Sequence, residues 1–296
     1  MRRPRAASSR GSPSLMRRPL LSVFCLALLL ILGPEQVFCR QIYFQMFEDS
    51  FDDQYIGCTD KMESVASKLL KKERKETPEL AYAWNVASSI WHERKSLLGR
   101  LPVVFRDEYG IALIIYSLAS FDIRSSLDQD VRNYGWNLKS FRFHSVHFYL
   151  TRALTLLRPR CDVKPLSTYV ESHSIHVKLP LDPQATVRMN QFVLSSTDIE
   201  VINITKKVVV LVMSCFGVEL KDFAEYRPSK MVMIPVNEVF QVISYDEKQN
   251  LITLQTTNKT CSYYNCDYLG GKWPRRETED NGTENCNILY MTEGLD

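Results

Sequence analysis

The feature that most limits how this chain can fold is its set of cysteines and where that set begins. There are eight: Cys25, Cys39, Cys58, Cys161, Cys215, Cys261, Cys266 and Cys286. The first two belong to a start that reads as a secretory leader. Arg17 and Arg18 precede the apolar run Leu20 to Leu32, and Val37 and Cys39 suit a cleavage site. The run falls short of the ~20 apolar residues that a membrane helix needs, which disfavours the rival reading of a membrane anchor. With residues 1–39 set aside as leader and signal peptide, six cysteines remain. An even number in a secretory chain implies disulfides, in a connectivity that spacing alone leaves open. Zinc is the competing use of thiols. Only Cys261 and Cys266 lie close together, however, and no histidine is near them. The triplets beginning at Asn203, Asn258 and Asn281 are N-glycosylation acceptors and fit the same route.

The leader also distorts the charge. Arg2, Arg3, Arg5, Arg10, Arg17 and Arg18 all precede the first acid, Glu35, so removing residues 1–39 takes the formal +3 to about −2. A mildly acidic body lacks the clustered Lys and Arg that a nucleic-acid groove needs. At 45% hydrophobic residues, the body is large enough to bury a core without a structural metal. No repeat period and no G-x-G-x-x-G loop is present, which argues against solenoids and a Rossmann site. Met291 to Asp296 is a polar tail with no apolar stretch after it, so neither a glycolipid-anchor signal nor a C-terminal membrane helix is expected.

Hydrophobic spacing divides the body. Asp60 is expected to cap a helix carrying Met62, Val65, Leu69 and Leu70. Thr77-Pro78 opens a second, with Leu80, Ala83, Trp84, Ala87 and Trp91 on one face. Gly110 to Ser120 reads as a short buried helix, and Phe143 to Arg158 as a longer one stopped by Pro159. Beyond Cys161 the period changes. Val208 to Met213 reads as a central strand buried on both faces. Val239 to Ile243 and Leu251 to Leu254 read as a hairpin, Val187 to Ser195 as one more strand, and Pro235 as a bulge or edge. Helices first and strands second is an α+β order. We therefore expect one domain over 40–290, helical over 44–158 and strand-rich over 162–290, followed by the tail 291–296.

Several stretches resemble the vertebrate ecto-mono-ADP-ribosyltransferases: Ser50-Phe-Asp-Asp-Gln-Tyr-Ile-Gly-Cys58, His147-Phe-Tyr-Leu-Thr-Arg-Ala-Leu154, Val187-Arg-Met-Asn-Gln-Phe192 and Ile234-Pro-Val-Asn-Glu-Val-Phe-Gln-Val242. They run in order from about residue 47 to 290. The closing segment, Asn258 to Cys266 with Glu284-Asn-Cys286, resembles one member of that family regarded as degenerate. The resemblance implies an N-terminal helical part and two packed sheets forming an NAD cleft. It also implies a reaction moving ADP-ribose from NAD to arginine, and the disulfides Cys58–Cys266 and Cys161–Cys215, which leave Cys261 and Cys286 for each other.

The residues that carry the family's chemistry are replaced. Breaking the nicotinamide–ribose bond leaves positive charge on the sugar, which a carboxylate stabilises. The family's Tyr-Arg-Gly, whose guanidinium holds the NAD phosphates, corresponds to Tyr169-Val170-Glu171. Its first serine of Phe-x-Ser-x-Ser corresponds to Leu194, and its Glu-x-Glu to Ser229-Lys230-Met231. The resemblance thus implies a family member with no intact catalytic set at Val170, Leu194, Ser229 and Met231. It would be a secreted, extracellular pseudoenzyme or binding protein without arginine transfer. It requires no cofactor and no metal, keeps NAD as a candidate substrate or ligand, and acts through an extracellular protein partner whose identity the sequence does not give. The alternatives are a divergent transferase or NAD glycohydrolase, and a plain glycoprotein module.

Other chemistry-bearing residues have blander readings. Glu225 and Glu238 read as solvated acids, His173 and His176 as a polar loop, and His144 and His147 as packing or surface. Trp84, Trp91, Trp136 and Trp273 read as packing, while Tyr226 lies in a loop that would face an acceptor.

Overall fold

The computed structural model describes residues 41–118, 122–137, 140–161, 164–172, 176–182, 184–201, 207–220, 223, 230–271 and 287–290. The leader, Ser229, Tyr226, Glu225, His173, Trp273, Cys286, Asn203 and Asn281 lie outside them. The elements are β1 (Gln41–Tyr43), then α1 (Thr59–Glu76), α2 (Pro78–Arg94), α3 (Asp107–Ser117), α4 (Ile123–Arg132) and α5 (His144–Leu157). These are followed by β2 (Leu166–Ser172), β3 (His176–Lys178), β4 (Thr186–Arg188), β5 (Val193–Ser196), β6 (Val208–Ser214) and β7 (Val218–Glu219). The last are β8 (Met231–Ile234), β9 (Glu238–Asp246), β10 (Leu251–Ser262) and β11 (Asn287–Tyr290).

The helices follow their apolar spacing. Pro78 is the first residue of α2, where its missing N–H costs nothing. Leu80, Ala83, Trp84, Ala87 and Trp91 form its buried stripe. Helix α3 is buried from Tyr109 to Ser117, and Gly110 lets it approach α2: a Cβ there would stand 2.4 Å from the Trp91 ring. One start differs from expectation. Asp60 lies in the first turn of α1, and the cap position is Cys58, which makes no side-chain capping bond. The Cys58–Cys266 disulfide fixes that corner, and Asp60 is left beside the positive end of the helix dipole. The amphipathic helix α4, with Ile123, Leu127 and Val131 buried, was not anticipated from the sequence.

The strands order as β4-β9-β10-β6-β2-β5-β8-β7, with β11 on β10, and β1 pairs separately with β3. The expected central strand is β6, parallel to β10 and antiparallel to β2. The expected hairpin is β9–β10. Pro235 falls between β8 and β9, where no ladder N–H is required. The expected single strand Val187 to Ser195 is instead two. β4 pairs with β9, and β5 pairs with β8. Arg188 ends the first half by turning its guanidinium inward to Asp52 and to the carbonyls of Met46 and Cys261. Phe192 then packs beneath Tyr116, whose hydroxyl donates to the Phe192 carbonyl at 2.6 Å.

β2 and β5 share one residue pair, Tyr169 with Ser196, against the seven pairs that join β2 to β6. The strands therefore form two wings. Their facing sides share a Val-rich core in which Val208, Val210, Val212 and Ile252 meet Val232 and Ile234. The outer face of β5 and β8 packs on the helices through Leu194, Met231 and Met233.

Candidate functional site

The single bridge between the wings brings the family positions into register. Tyr169 on β2 opposes Ser196 on β5, which opposes Met231 on β8, and Leu194 opposes Met233. Side chains alternate across a strand, so Leu194 and Met231 share the face that packs on the helical core. Val170 points the other way, into the Val-rich core with Val210. Three of the four positions are thus on adjacent strands, but only two share a face. Ser229 lies outside the described residues.

Four acids lie near these strands. Glu171 forms an ion pair with Lys207. Glu219 opposes Val232 across β7 and β8, and so faces away from Met231. Glu238 is fully buried, which corrects its reading as a solvated acid. It accepts from Ser214 Oγ at 2.5 Å and from the Cys215 amide at 2.8 Å, and burial pushes its pKa up to about 7. The fourth, Asp198, was missed. It follows Ser196 by two residues, and the pairing of β5 with β8 carries it to Lys230, whose Nζ donates to Asp198 Oδ2 at 2.8 Å. That bond holds the carboxyl below the usual range and raises the lysine. Antiparallel register counted outward from Ser196 and Met231 was the signal that could have found the pair.

Around the base of β2 lies a cleft of about 660 Å³, bordered by the Cys161–Cys215 disulfide, Leu166, Phe223, Arg160, Lys164 and Glu219. Val170, Leu194 and Met231 do not line it. Its lining joins two cations and one carboxylate to apolar walls.

Other candidates resolve into structure. His147 is buried, and burial pushes its pKa down to about 3. Its Nε2–H donates to the Phe51 carbonyl at 3.2 Å, which leaves Nδ1 to accept from Tyr55 Oη at 2.9 Å. His144 packs edge-on against Phe51, and burial lowers it to about 4. Trp84 and Trp91 are core residues. Trp136 is not: it is 81% exposed, which corrects its reading as packing. Cys161 bonds to Cys215 and Cys58 to Cys266; Cys261 is buried and also disulfide-bonded. Asn258 is exposed within a ladder irregularity, with φ of 58°. Among the described residues no group of three metal-binding side chains occurs, and no helix is long and apolar enough to cross a membrane.

Helices leading into two face-packed wings joined by one bridge constitute the ADP-ribosyltransferase fold. The crystal structure of the eukaryotic mono-ADP-ribosyltransferase ART2.2 superposes with a TM-score of 0.68 at 30% identity, over 77% of this chain and 99% of that one. A mutant of the same protein solved in complex with NAD superposes equally, at 29% identity. The family model for NAD:arginine ADP-ribosyltransferase matches residues 44–262. The chain belongs to the NAD:arginine ADP-ribosyltransferase family. Human ecto-ADP-ribosyltransferase 5 is 34% identical over 83% of this chain and 87% of its own length. Human ecto-ADP-ribosyltransferase 3, the member whose closing segment this chain resembles, is 33% identical over 83% of this chain and 63% of its own length. Overall identity therefore does not single out that member.

Proposed function

We propose that this protein is an extracellular pseudoenzyme of its family, a binding protein that does not transfer ADP-ribose to arginine. The observation that carries the reading is the pair Leu194 and Met231. Both stand where the resemblance calls for a serine and a carboxylate, and both pack on the helical core. A site that must stabilise a cationic ribose gains nothing from a thioether and an isobutyl group. Loss of one positioned electrostatic group commonly costs about 10²–10³ in rate, and losses within one constellation do not simply multiply. The ecto-type names of the relatives and the two disulfides support an extracellular setting. NAD is kept as a candidate ligand on the family resemblance; the cleft beside Cys161–Cys215, which Val170, Leu194 and Met231 do not line, offers Arg160 and Lys164 to its phosphates.

Asp198 favours a second reading, a weak NAD glycohydrolase, because it brings one carboxylate to Lys230, the residue before Met231. In that reaction water would add to the ribose carbon as nicotinamide leaves with the bonding pair. The Lys230 ion pair argues against it by neutralising that charge.

The test incubates labelled NAD with purified protein and a small guanidino acceptor, following transfer and nicotinamide release separately. We expect neither product. Nicotinamide release abolished by Asp198→Asn would establish the second reading. The combined substitution Leu194→Ser, Ser229→Glu and Met231→Glu should yield measurable transfer. Val170→Arg is left out, since Val170 faces the Val-rich core and not the face that Leu194 and Met231 share.

A further inference from the structure

Trp136 is the one tryptophan among the described residues that the fold presents to solvent, and the turn that carries it is anchored through its backbone. It ends the short 3-10 turn Tyr134–Trp136. The Gly135 amide donates to the Asp49 carbonyl at 2.8 Å, and the Trp136 amide donates to the Asn133 carbonyl at 3.1 Å. A Cβ at Gly135 would stand 2.5 Å from Asp49 Oδ1, so only glycine lets the turn sit this close to the segment below it. The Tyr134 hydroxyl anchors the same turn to Asp267. In that segment Phe47 adopts φ of 49°, a left-handed conformation that a bulky residue takes only when its surroundings enforce it. Exposing an indole costs apolar burial. Carried on an anchored turn, this one offers a flat apolar face to a ligand.

Beside it runs a groove of about 410 Å³ lined by Gln45, Glu48, Asp49, Arg132 and Asn190. The side chains are chemically mixed: carboxylates that only accept, a guanidinium that only donates, and two amides that do both. A groove carrying both signs does not suit a ligand of one charge. It suits one that offers donors and acceptors at close spacing around an apolar face. A pyranose ring does this, because its axial C–H groups cover an aromatic face while its hydroxyls take in-plane bidentate hydrogen bonds.

We propose that this groove binds a neutral glycan, with one hexopyranose ring seated on the Trp136 indole and its hydroxyls met by Asp49, Asn190, Gln45 and Arg132. The site shares no residue with the cleft beside Cys161–Cys215 and does not depend on whether NAD is turned over. The glycan has two sources, another molecule or this protein's own sugar at an acceptor such as Asn258.

The experiment applies the secreted full chain, with and without enzymatic removal of its N-glycans, to a panel of immobilised neutral and sialylated oligosaccharides. Tryptophan fluorescence titrations with the best neutral sugar follow. The deglycosylated protein should bind neutral members of the panel. Trp136→Ala should weaken binding at least about tenfold, the scale of a lost stacking platform, and Trp136→Phe should restore most of it. NAD binding should be unchanged in both. Binding that appears only in the deglycosylated protein identifies the intrinsic sugar as occupant and still supports the site. No binding to any neutral sugar, equal binding by Trp136→Ala, or preference for a cationic peptide would overturn the proposal.

Discussion

Thr168 and Glu238 show how differently two buried polar side chains can fare. Thr168 sits on β2 opposite Val212, is fully buried, and its hydroxyl has no hydrogen-bond partner. Val170 and Leu166, its neighbours on that face, belong to the Val-rich core. Thr168→Val removes an unsatisfied hydroxyl at nearly constant shape and should stabilise the protein by about 1 kcal/mol, read as a higher denaturant midpoint with unchanged slope. Glu238 is also fully buried, but it is held by Ser214 and Cys215. Burial raises its pKa from 4.5 to about 7. A carboxyl whose folded pKa is raised binds its proton more tightly in the folded state, so its contribution is complete at low pH and is lost as pH rises toward the folded value. Stability should therefore fall between about pH 4.5 and about pH 7, and Glu238→Gln should flatten that fall in a pH series of thermal melts.

Helix α5 shows one element completing another. It begins after Phe143, which supplies no side-chain cap. Glu73 from α1 does so instead: the Ser145 amide donates to its two carboxylate oxygens at 3.1 and 3.3 Å, and the Ser145 hydroxyl donates as well. Glu73→Ala should cost about 1–2 kcal/mol, the scale of a lost cap. Hydrogen exchange should speed up at the first-turn amides of α5 while those near Leu154 hold. The apolar rows of α1, α2 and α5 could be read from spacing because helical burial is periodic and local. The Glu73 contact could not, because it joins residues 72 apart in the chain. The break between β4 and β5 escaped for a related reason. Val187 to Ser195 has strand-like composition throughout, and only the partners on β9 and β8 divide it.

Across the whole molecule, the opening Ser50 to Cys58 acts as a clasp on the closing strand. Asp52 accepts from the amides of Tyr263 and Tyr264 and pairs with the buried Arg188. Asp53 accepts from the amides of Tyr55, Cys266 and Asp267. Beside them Cys58 bonds to Cys266 across a separation of 208 residues. Replacing both cysteines by alanine should cost about 2–5 kcal/mol, measured by denaturant unfolding against the intact protein. The carboxylate clasp should still close the ends, so the variant is expected to fold.

The sequence alone carried the family, the helix-then-strand order and the identities of Val170, Leu194 and Met231. Residue identity in an ordered motif is local information, legible before any fold is known. Tertiary structure alone turned Val170 away from Leu194 and Met231, paired Asp198 with Lys230, sank Glu238 and lifted Trp136 into solvent. Each of those depends on which strand or turn lies alongside, and a linear pattern of apolar and polar residues does not specify its neighbours.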